Sequence, residues 1–201
     1  MKSTEYFETL KSHWTGQLVV CALGENSNEW WRLTRDLGSF HLHGGMGFAS
    51  SFAMGLAYSL PDEEIWLLNS DGGVCMNLGG LLTEAQQQPP NLKHFLLSNR
   101  CYQCLLGAPL VNSEHTDYAT IARGTGMRNV HRADSAEELN EALTSLGPEH
   151  AFVVSEVEPH RRDWRFEPPP PFPYEGPEAK YVFARHVERR TGRTIFGPRG
   201  Y

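Results

Sequence analysis

The sequence predicts an α/β fold, a three-layer α/β/α sandwich with a central, mainly parallel sheet, followed by a proline-rich C-terminal extension. Two observations support this prediction. Short apolar runs alternate along the chain with longer stretches of helical periodicity, an order typical of parallel strands covered by helices on both faces. Of the 201 residues, 40% are apolar and 21% are charged, as in a globular domain with a substantial core.

The predicted strands are short apolar runs that end at polar or glycine-rich segments. The first, Gln17–Leu23, reads QLVVCAL and is apolar on both faces, as expected for a strand between two helical layers. In chain order the predicted strands are Gln17–Leu23, Glu64–Leu68, Leu92–Leu97, Asn129–Arg132 and Ala151–Val157. Right-handed crossovers between them would place the strand-to-helix loops along one edge of the sheet.

The predicted helices are recognised by their ends. Gly47–Leu60 stops before Pro61, and Met76–Gln88 stops before Pro89, because proline cannot continue a helix. Ser135–Leu146 begins Ser-Ala-Glu-Glu, which fits an N-cap followed by acidic residues in the first turn. The remaining predicted helices are Ser27–Arg35, capped by Asn26 or Ser27, Asp117–Gly126 and Glu178–Arg190.

The chain is predicted to divide into a compact domain, residues 1–158, and an extension, residues 159–201. The run Pro168–Pro171 cannot continue a helix or a sheet and favours an extended polyproline form. The extension carries nine Lys/Arg and five Asp/Glu, a net +4, so the total of −6 leaves −10 on the domain. We expect the basic extension to pack on a partner subunit, and the acidic domain argues against nucleic acid as a partner.

The sequence also predicts a cytoplasmic protein that does not enter a membrane. No run approaches the roughly 18 uninterrupted apolar residues that cross a bilayer, and Glu5 and Glu8 interrupt the N-terminus where a secretory signal would be apolar. The four cysteines, Cys21, Cys75, Cys101 and Cys104, do not make a disulfide scaffold in this chain. Cys101 and Cys104 form a single CxxC pair, for which a redox or zinc role is the weaker interpretation.

Ligands of parallel sheets bind beyond the carboxyl ends of the strands, where this chain has three polar loops. The loops are Gly24–Asn28, Asn69–Gly73 and Ser98–Gln103.

Asp71 and Asn99 follow neighbouring predicted strands. Asp71 precedes two glycines, which often merely turn a chain, but Asn99 comes 28 positions later, at the end of the next strand. Adjacent parallel strands would bring both side-chain oxygens to one edge. A carboxylate, an amide oxygen and a backbone carbonyl, completed by phosphate oxygens and water, suit Mg²⁺. The spacing therefore favours a magnesium–diphosphate site over a simple turn.

Asp71-Gly72, a helix, a strand and Asn99 together resemble the signature of thiamine diphosphate (ThDP) enzymes, which usually reads Gly-Asp-Gly and ends Asn-Asn. Residues 44–51, GGMGFASS, are similar to the glycine-rich segment under the thiamine ring in that family. The resemblance covers roughly Gln17 to Val157, and within the family it points to phosphonopyruvate decarboxylase and the β subunit of sulfopyruvate decarboxylase. It implies the ThDP-binding fold, with ThDP and Mg²⁺ as cofactors.

The resemblance assigns roles to the residues of the signature. Asp71, the Asn99 side chain and the Cys101 carbonyl would bind Mg²⁺. The amides of Gly72 and Gly73 would contact the diphosphate, because glycine lets the backbone approach a ligand closely.

The segment before the helix at residue 47 is expected to contact the rest of the cofactor. The Gly44 carbonyl would accept a hydrogen bond from the aminopyrimidine, and Met46 would hold the cofactor bent, with a core methionine as the alternative. His43 is the candidate catalytic residue, since His41 and His43 alternate on an extended segment, although a structural or solvent-facing histidine is the competing interpretation. Tyr102 would begin a helix that closes over the substrate. The full predicted cofactor-binding set is Asn26, Gly44, Gly45, Met46, Gly47, Ser70, Asp71, Gly72, Gly73, Asn99 and Tyr102.

Several residues depart from the family pattern. Ser70 stands in place of the first glycine, Ser98 in place of the first asparagine, and Cys101 in place of a small residue, usually glycine. Gly73 lacks the hydroxyl that often helps to hold the diphosphate. The residue at position 98 is not expected to be a metal ligand, and only the backbone of Cys101 is needed, so cofactor binding is still expected, with weaker geometry as the alternative.

The resemblance finally implies a two-chain enzyme. In the family, the glutamate that activates the cofactor lies on a separate pyrimidine-binding domain, and about 200 residues hold only the diphosphate-binding domain. We therefore expect a pyrimidine-binding α subunit in an α₂β₂ assembly. The expected function is decarboxylation of a small anionic 2-oxo acid, and the alternatives are a carboligase of the acetolactate synthase type and a non-catalytic cofactor-binding or regulatory subunit.

Overall fold

The computed structural model describes residues 1–159, 172–174 and 176–197. The helices are α1 (Ser3–His13), α2 (Glu25–Thr34), α3 (Ala49–Ser59), α4 (Asp71–Met76), α5 (Gly80–Gln87), α6 (Tyr118–Gly124), α7 (Ala136–Ser145) and α8 (Gly176–Thr191), with a 3₁₀ turn at Gln103–Leu105. The strands are β1 (Leu18–Cys21), β2 (Phe40–His41), β3 (Ile65–Ser70), β4 (Leu92–Ser98), β5 (Cys101–Tyr102), β6 (Ala108–Pro109), β7 (Val130–Ala133) and β8 (Ala151–Glu156).

Six strands form one sheet in the order β2-β1-β3-β4-β8-β7, and every pairing in it is parallel. β3 is paired with β4 along its whole length, from Ile65 opposite Leu92 to Ser70 opposite Leu97. The two strands therefore end side by side. β5 and β6 form a separate antiparallel hairpin beyond the end of β4.

Helices cover both faces of the sheet, because side chains along each strand alternate between the two faces. In β3, Trp66 and Leu68 pack in a core with residues of α1, α2 and α7. Ile65 and Leu67 point to the opposite face, where they pack with α3 and α8. A third apolar cluster continues that face under α4, α5 and α6. The three-layer prediction is confirmed.

The helices and strands that were not predicted from the sequence are α1, α4, β2, β5 and β6. β2 contains only two residues, too few to show a pattern. α1 buries its apolar side through Tyr6, Phe7 and Leu10, a narrow stripe in an otherwise polar segment. In addition, α2 begins at Glu25, so most of the predicted loop Gly24–Asn28 is the first turn of a helix.

The predicted helix Met76–Gln88 begins later in the structure, at Gly80, and a separate short helix precedes it. α4 begins directly at Asp71 and ends where Asn77 adopts a non-helical backbone, with φ −143° and ψ 58°. α5 then starts at Gly80, where a side chain would meet the Asn77 amide at 3.2 Å. The predicted loop Asn69–Gly73 is consequently the end of β3 joined without a break to a helix.

The C-terminal helix α8 packs on the sheet of its own chain. Phe183 and Val187 are buried in the core, and the Phe183 ring lies 5.1 Å from the ring of Phe40 in β2. The proline run Pro168–Pro171 lies outside the described residues. Among the described helices none combines the length and apolar character needed to cross a membrane.

We expect Phe183→Ala to lower the free energy of unfolding by about 3 kcal/mol, because it removes a buried aromatic group that joins α8 to the sheet. The control is Tyr181→Ala on the same helix, where the side chain is 42% exposed and its loss should cost less than about 1 kcal/mol. Urea denaturation measures both. Equal losses would contradict the packing of α8 through Phe183.

Candidate functional site

A cleft opens at the carboxyl edge of the sheet, where β1, β3 and β4 end. The residues that line it are Leu23, Gly24, Glu25, Asn26, Met46, Ser70, Asp71, Gly72, Leu97, Asn99, Cys101, Tyr102, Gln103 and Cys104. Among the predicted site residues, this set includes Asn26, Met46, Ser70, Asp71, Gly72, Asn99, Cys101 and Tyr102. The parallel pairing of the strands thus brings together side chains that are far apart in the sequence.

Asp71 lies at the bottom of the cleft and is only 1% exposed. One carboxyl oxygen, Oδ1, accepts a hydrogen bond from the Gly72 amide at 2.8 Å, and Oδ2 accepts one from the Arg100 amide at 2.6 Å. Burial raises the pKa of Asp71 to about 6, although these amides oppose the shift. The site therefore holds a buried carboxyl group whose ionised form a neighbouring cation would stabilise further.

Asn99 and Cys101 lie beside Asp71, in the loop that follows β4. Asn99 is buried, its Oδ1 accepts a hydrogen bond from the Cys101 amide at 3.1 Å, and its Nδ2 donates to Glu25 at 3.4 Å. In the part of the chain that the structure describes, no three His, Cys, Asp or Glu side chains are grouped to hold a metal. One carboxylate, one amide and one carbonyl can hold a hard cation only with oxygen ligands from outside the chain.

Ser70 fits its position without strain. Its backbone is extended, with φ −122° and ψ 153°, so a glycine is not required there. Its Oγ accepts a hydrogen bond from the Gly73 amide at 3.3 Å and caps α4. The departure from the family signature at residue 70 therefore adds a helix cap to the turn.

The two glycines after Asp71 are required by close contacts. A Cβ on Gly72 would lie 2.9 Å from Cε1 of Tyr102, and a Cβ on Gly73 would lie 3.0 Å from Oδ1 of Asn69. Tyr102 belongs to the β5–β6 hairpin and is followed by a single 3₁₀ turn. The helix predicted to begin there is not present, because the chain turns back into β6.

The glycine-rich segment lies against the start of α4. Gly45 and Gly47 have φ values of 68° and 94°, in the region that favours glycine. The Gly47 carbonyl accepts a hydrogen bond from Asn77 at 2.9 Å. This turn directs the half-buried Met46 into the cleft, while Gly44 and Gly45 remain exposed beside it.

The two histidines before the glycines have different surroundings. His41 is buried, its Nδ1 lies 2.8 Å from the Ser27 hydroxyl, and burial lowers its pKa to about 4. His43 is exposed, lies 5.7 Å from the ring of Phe172, and is not among the cleft residues. His41 also lies against the Phe172 ring, at 4.6 Å, so both histidines face the same aromatic side chain, and a catalytic role for His43 stays a prediction.

Asn26 contributes a buried acceptor to the cleft. The residue is 1% exposed, and its Oδ1 has no hydrogen-bond partner within the described residues. A buried acceptor without a partner is costly in a folded protein. A ligand that donates a hydrogen bond here would remove that cost.

Sequence analysis missed Glu25 and Arg100. Glu25 lies in the first turn of α2 and reaches Asn99 across the cleft. Arg100 has a φ of 62°, its Nε donates to Glu156 at 3.1 Å, and its guanidinium also bonds the carbonyls of Ser113 and Thr116. In the sequence, Arg100 is marked only by its position next to Asn99, because the role of Arg100 depends on its backbone conformation.

Comparison with known proteins agrees with this geometry. Residues 23–157 match the family model of the thiamine pyrophosphate enzyme, C-terminal TPP binding domain, in which thiamine pyrophosphate is another name for ThDP. The chain is 35% identical over 153 residues to sulfopyruvate decarboxylase subunit beta of Methanothermobacter thermautotrophicus, covering 76% of this chain and 81% of that protein.

Two further relatives are longer than this chain. Phosphonopyruvate decarboxylase of Streptomyces viridochromogenes is 32% identical over 137 residues, covering 68% of this chain and 34% of that protein. The crystal structure of benzoylformate decarboxylase from Polynucleobacter necessarius matches with a TM-score of 0.64 at 18% identity, covering 81% of this chain and 34% of that one. The structural match shows a shared fold, and the chain spans about a third of these two proteins.

We expect Gly72→Ala to lower the affinity for ThDP with Mg²⁺ at least about tenfold, equivalent to about 1.4 kcal/mol. The new Cβ would collide with the Tyr102 ring and displace it from the cleft. Gly79→Ala is the control, because a Cβ there meets no atom within 4 Å. Titration of the full-length chain by calorimetry or NMR measures both variants, and an unchanged affinity in Gly72→Ala would refute the role of this contact.

Proposed function

The chain belongs to the thiamine pyrophosphate enzymes, through their C-terminal cofactor-binding domain, and we propose that it is the diphosphate-binding subunit of a two-chain, Mg²⁺-dependent decarboxylase. The observation that carries the proposal is the meeting of Asp71 with the Asn99–Cys101 loop at one sheet edge. A buried carboxylate beside an amide oxygen and a backbone carbonyl is a donor set that suits Mg²⁺ when phosphate completes its shell.

The proposed cation site uses Asp71, Oδ1 of Asn99 and the carbonyl of Cys101. The raised pKa of Asp71 supports this assignment, because a buried carboxylate gains most from a neighbouring cation. The hydrogen bonds from Gly72 and Arg100 hold the carboxylate in one orientation. That fixed orientation is what a metal ligand needs, since a mobile carboxylate loses entropy when it binds.

The proposed diphosphate contacts are the backbone amides of Gly72 and Gly73. Both are buried in the first turn of α4, and Gly72 lines the cleft. The Gly73 amide now makes a long 3.3 Å bond to Ser70, which a phosphate oxygen can replace or share. Ser70 would then still stabilise the same turn as the N-cap of α4.

The remaining cofactor contacts are proposed for Gly44, Gly45, Met46 and Gly47, together with Asn26 and Tyr102. Met46 projects into the cleft from a turn of positive φ, which supports its role as the residue that holds the cofactor bent. The unpartnered Oδ1 of Asn26 supports a hydrogen bond from the ligand. When bound, ThDP supplies the carbon nucleophile and the electron sink for decarboxylation of a 2-oxo acid.

The proposed partner is a pyrimidine-binding α subunit, and the proposed assembly is α₂β₂. The name of the Methanothermobacter relative, subunit beta, supports a second kind of chain in the complex. The names of the relatives support a small anionic 2-oxo acid, similar to sulfopyruvate or phosphonopyruvate, as substrate. The activating glutamate is expected on the partner. Glu25 is the one glutamate among the described cleft residues, and it lies beside Asn99, in the loop proposed to bind the metal.

The test is co-expression with a candidate pyrimidine-binding chain, followed by measurement of CO₂ release from 2-oxo acids with ThDP and Mg²⁺. We expect Asp71→Asn to lower the rate at least about 100-fold, because it removes the charged metal ligand. Asp62→Asn is the matched control, since the Asp62 side chain is 94% exposed, and it should stay within about twofold of the wild type.

The possible results separate the alternatives. Release of an aldehyde supports a decarboxylase, and a ligated product from the same reaction supports a carboligase. Absence of ThDP-dependent CO₂ release from every pair, with ThDP still bound, supports a non-catalytic subunit. Equal binding of ThDP by Asp71→Asn and wild type in calorimetry would refute the metal assignment.

A further inference from the structure

A buried polar cluster lies directly behind the turn that starts α4, and the proposed function does not use it. Its members are Glu84 on α5, His94 on β4, Asn69 on β3 and His150, which precedes β8. Their exposed fractions are 0%, 0%, 3% and 4%. Four polar side chains in an apolar core are costly unless each is bonded, so their arrangement calls for a specific role.

The hydrogen bonds in the cluster form a chain that leads to the cleft. Glu84 accepts from Nδ1 of His94 at 2.9 Å and from Nε2 of His150 at 3.0 Å. The other nitrogen of His94, Nε2, lies 3.1 Å from Nδ2 of Asn69. Oδ1 of Asn69 accepts from the Ser70 amide at 2.9 Å. The chain of bonds therefore ends on the backbone that leads into Asp71.

The positions of the protons follow from the donors and acceptors. Both carboxyl oxygens of Glu84 lie within 3.0 Å of Nδ1 of His94, and one of them also lies 3.0 Å from Nε2 of His150, so Glu84 accepts from both rings. The carboxylate is therefore ionised and can only accept, so His94 carries its proton on Nδ1. Asn69 offers its oxygen to Ser70 and its NH₂ group to His94, which requires His94 Nε2 to be unprotonated. His94 is consequently neutral, in the Nδ1–H form.

The orientation of the Asn69 side-chain amide affects the shape of the turn from Ser70 to Gly73, which borders the cleft. Its oxygen occupies the space beside Gly73, 3.0 Å from the position of a Cβ there, and fixes the Ser70 amide. A flipped amide would point its NH₂ group at the Ser70 N–H, and two donors would face each other. The turn from Ser70 to Gly73 keeps its shape only with the amide in the observed orientation.

We propose that Glu84, His94 and Asn69 form a positioning relay for the cofactor turn: Glu84 sets the tautomer of His94, and His94 sets the orientation of the Asn69 amide. None of the three touches the cleft, so each acts through its neighbour. The inference rests on the proposed function for the statement that Ser70–Gly73 hold the diphosphate. His150 bonds the same carboxylate but does not contact Asn69, so it lies outside the relay.

This difference provides a matched pair of variants. His94→Phe and His150→Phe each remove one hydrogen bond to Glu84 and keep a buried ring, but only His94→Phe releases the Asn69 amide. We expect both to lower the melting temperature. Only His94→Phe should accelerate hydrogen exchange of the Ser70 amide and weaken the binding of ThDP with Mg²⁺ by about tenfold. His150→Phe should stay within about twofold of the wild-type affinity.

A second measurement needs no variant. Nitrogen-15 NMR of the wild-type full-length chain should show His94 neutral with its proton on Nδ1 near pH 7.5. An imidazolium, or a proton on Nε2, would overturn the relay. So would equal affinities of His94→Phe and His150→Phe in NMR titrations with ThDP and Mg²⁺. If the wild type bound no ThDP even together with its pyrimidine-binding partner chain, the proposed function would fail, while the His94 tautomer and Ser70 exchange would still decide the relay.

Discussion

The site depends on one hydrogen bond, from the Arg100 amide to Oδ2 of Asp71, which joins the ends of β3 and β4 at 2.6 Å. This bond forms because the two strands are parallel and in register to their last residues, with Ser70 opposite Leu97. In an antiparallel pairing the two segments would lie at opposite edges of the sheet. That meeting of strand ends accounts for the burial of the Asp71 carboxyl, for the shape of the loop after β4 and for the cleft between Asp71 and that loop.

Arg100 also shows how the loop is stabilised. Its backbone has a φ of 62°, a conformation that costs a non-glycine residue on the order of 1 kcal/mol. The side chain offsets this cost through bonds to Glu156, at the end of β8, and to the carbonyls of Ser113 and Thr116. The loop carrying Asn99 and Cys101 is thereby tied to a third strand. A flexible loop would not hold an amide oxygen and a carbonyl in a fixed relation to Asp71.

Sequence analysis predicted the fold because strands buried on both faces and helices with proline or serine boundaries leave strong local patterns. It also identified Asp71, Asn99 and Gly72, whose residue types are tied to their chemistry. It failed where tertiary structure sets the role. The two-residue β2 cannot be recognised, because two residues show no pattern. Arg100 and Glu84 could not be found, because an arginine in a loop and a glutamate in a helix are ordinary until their partners are known.

The charges around the cleft constrain how the proposed ligands bind. Asp71 and Glu25 both present carboxyl groups to the space beside Asn99, while the guanidinium of Arg100 is already paired with Glu156. A diphosphate entering alone would meet like charge in a partly buried site, where repulsion is weakly screened. A cation between Asp71 and the phosphates converts that repulsion into attraction. The proposed relay behind the turn complements this arrangement. The charge of Glu84 lies on the far side of His94, and the group that contacts Ser70 is the neutral side-chain amide of Asn69. In the proposed site the carboxyl group of Asp71 would thus face the cation, while a neutral amide would lie behind the backbone that the phosphate approaches.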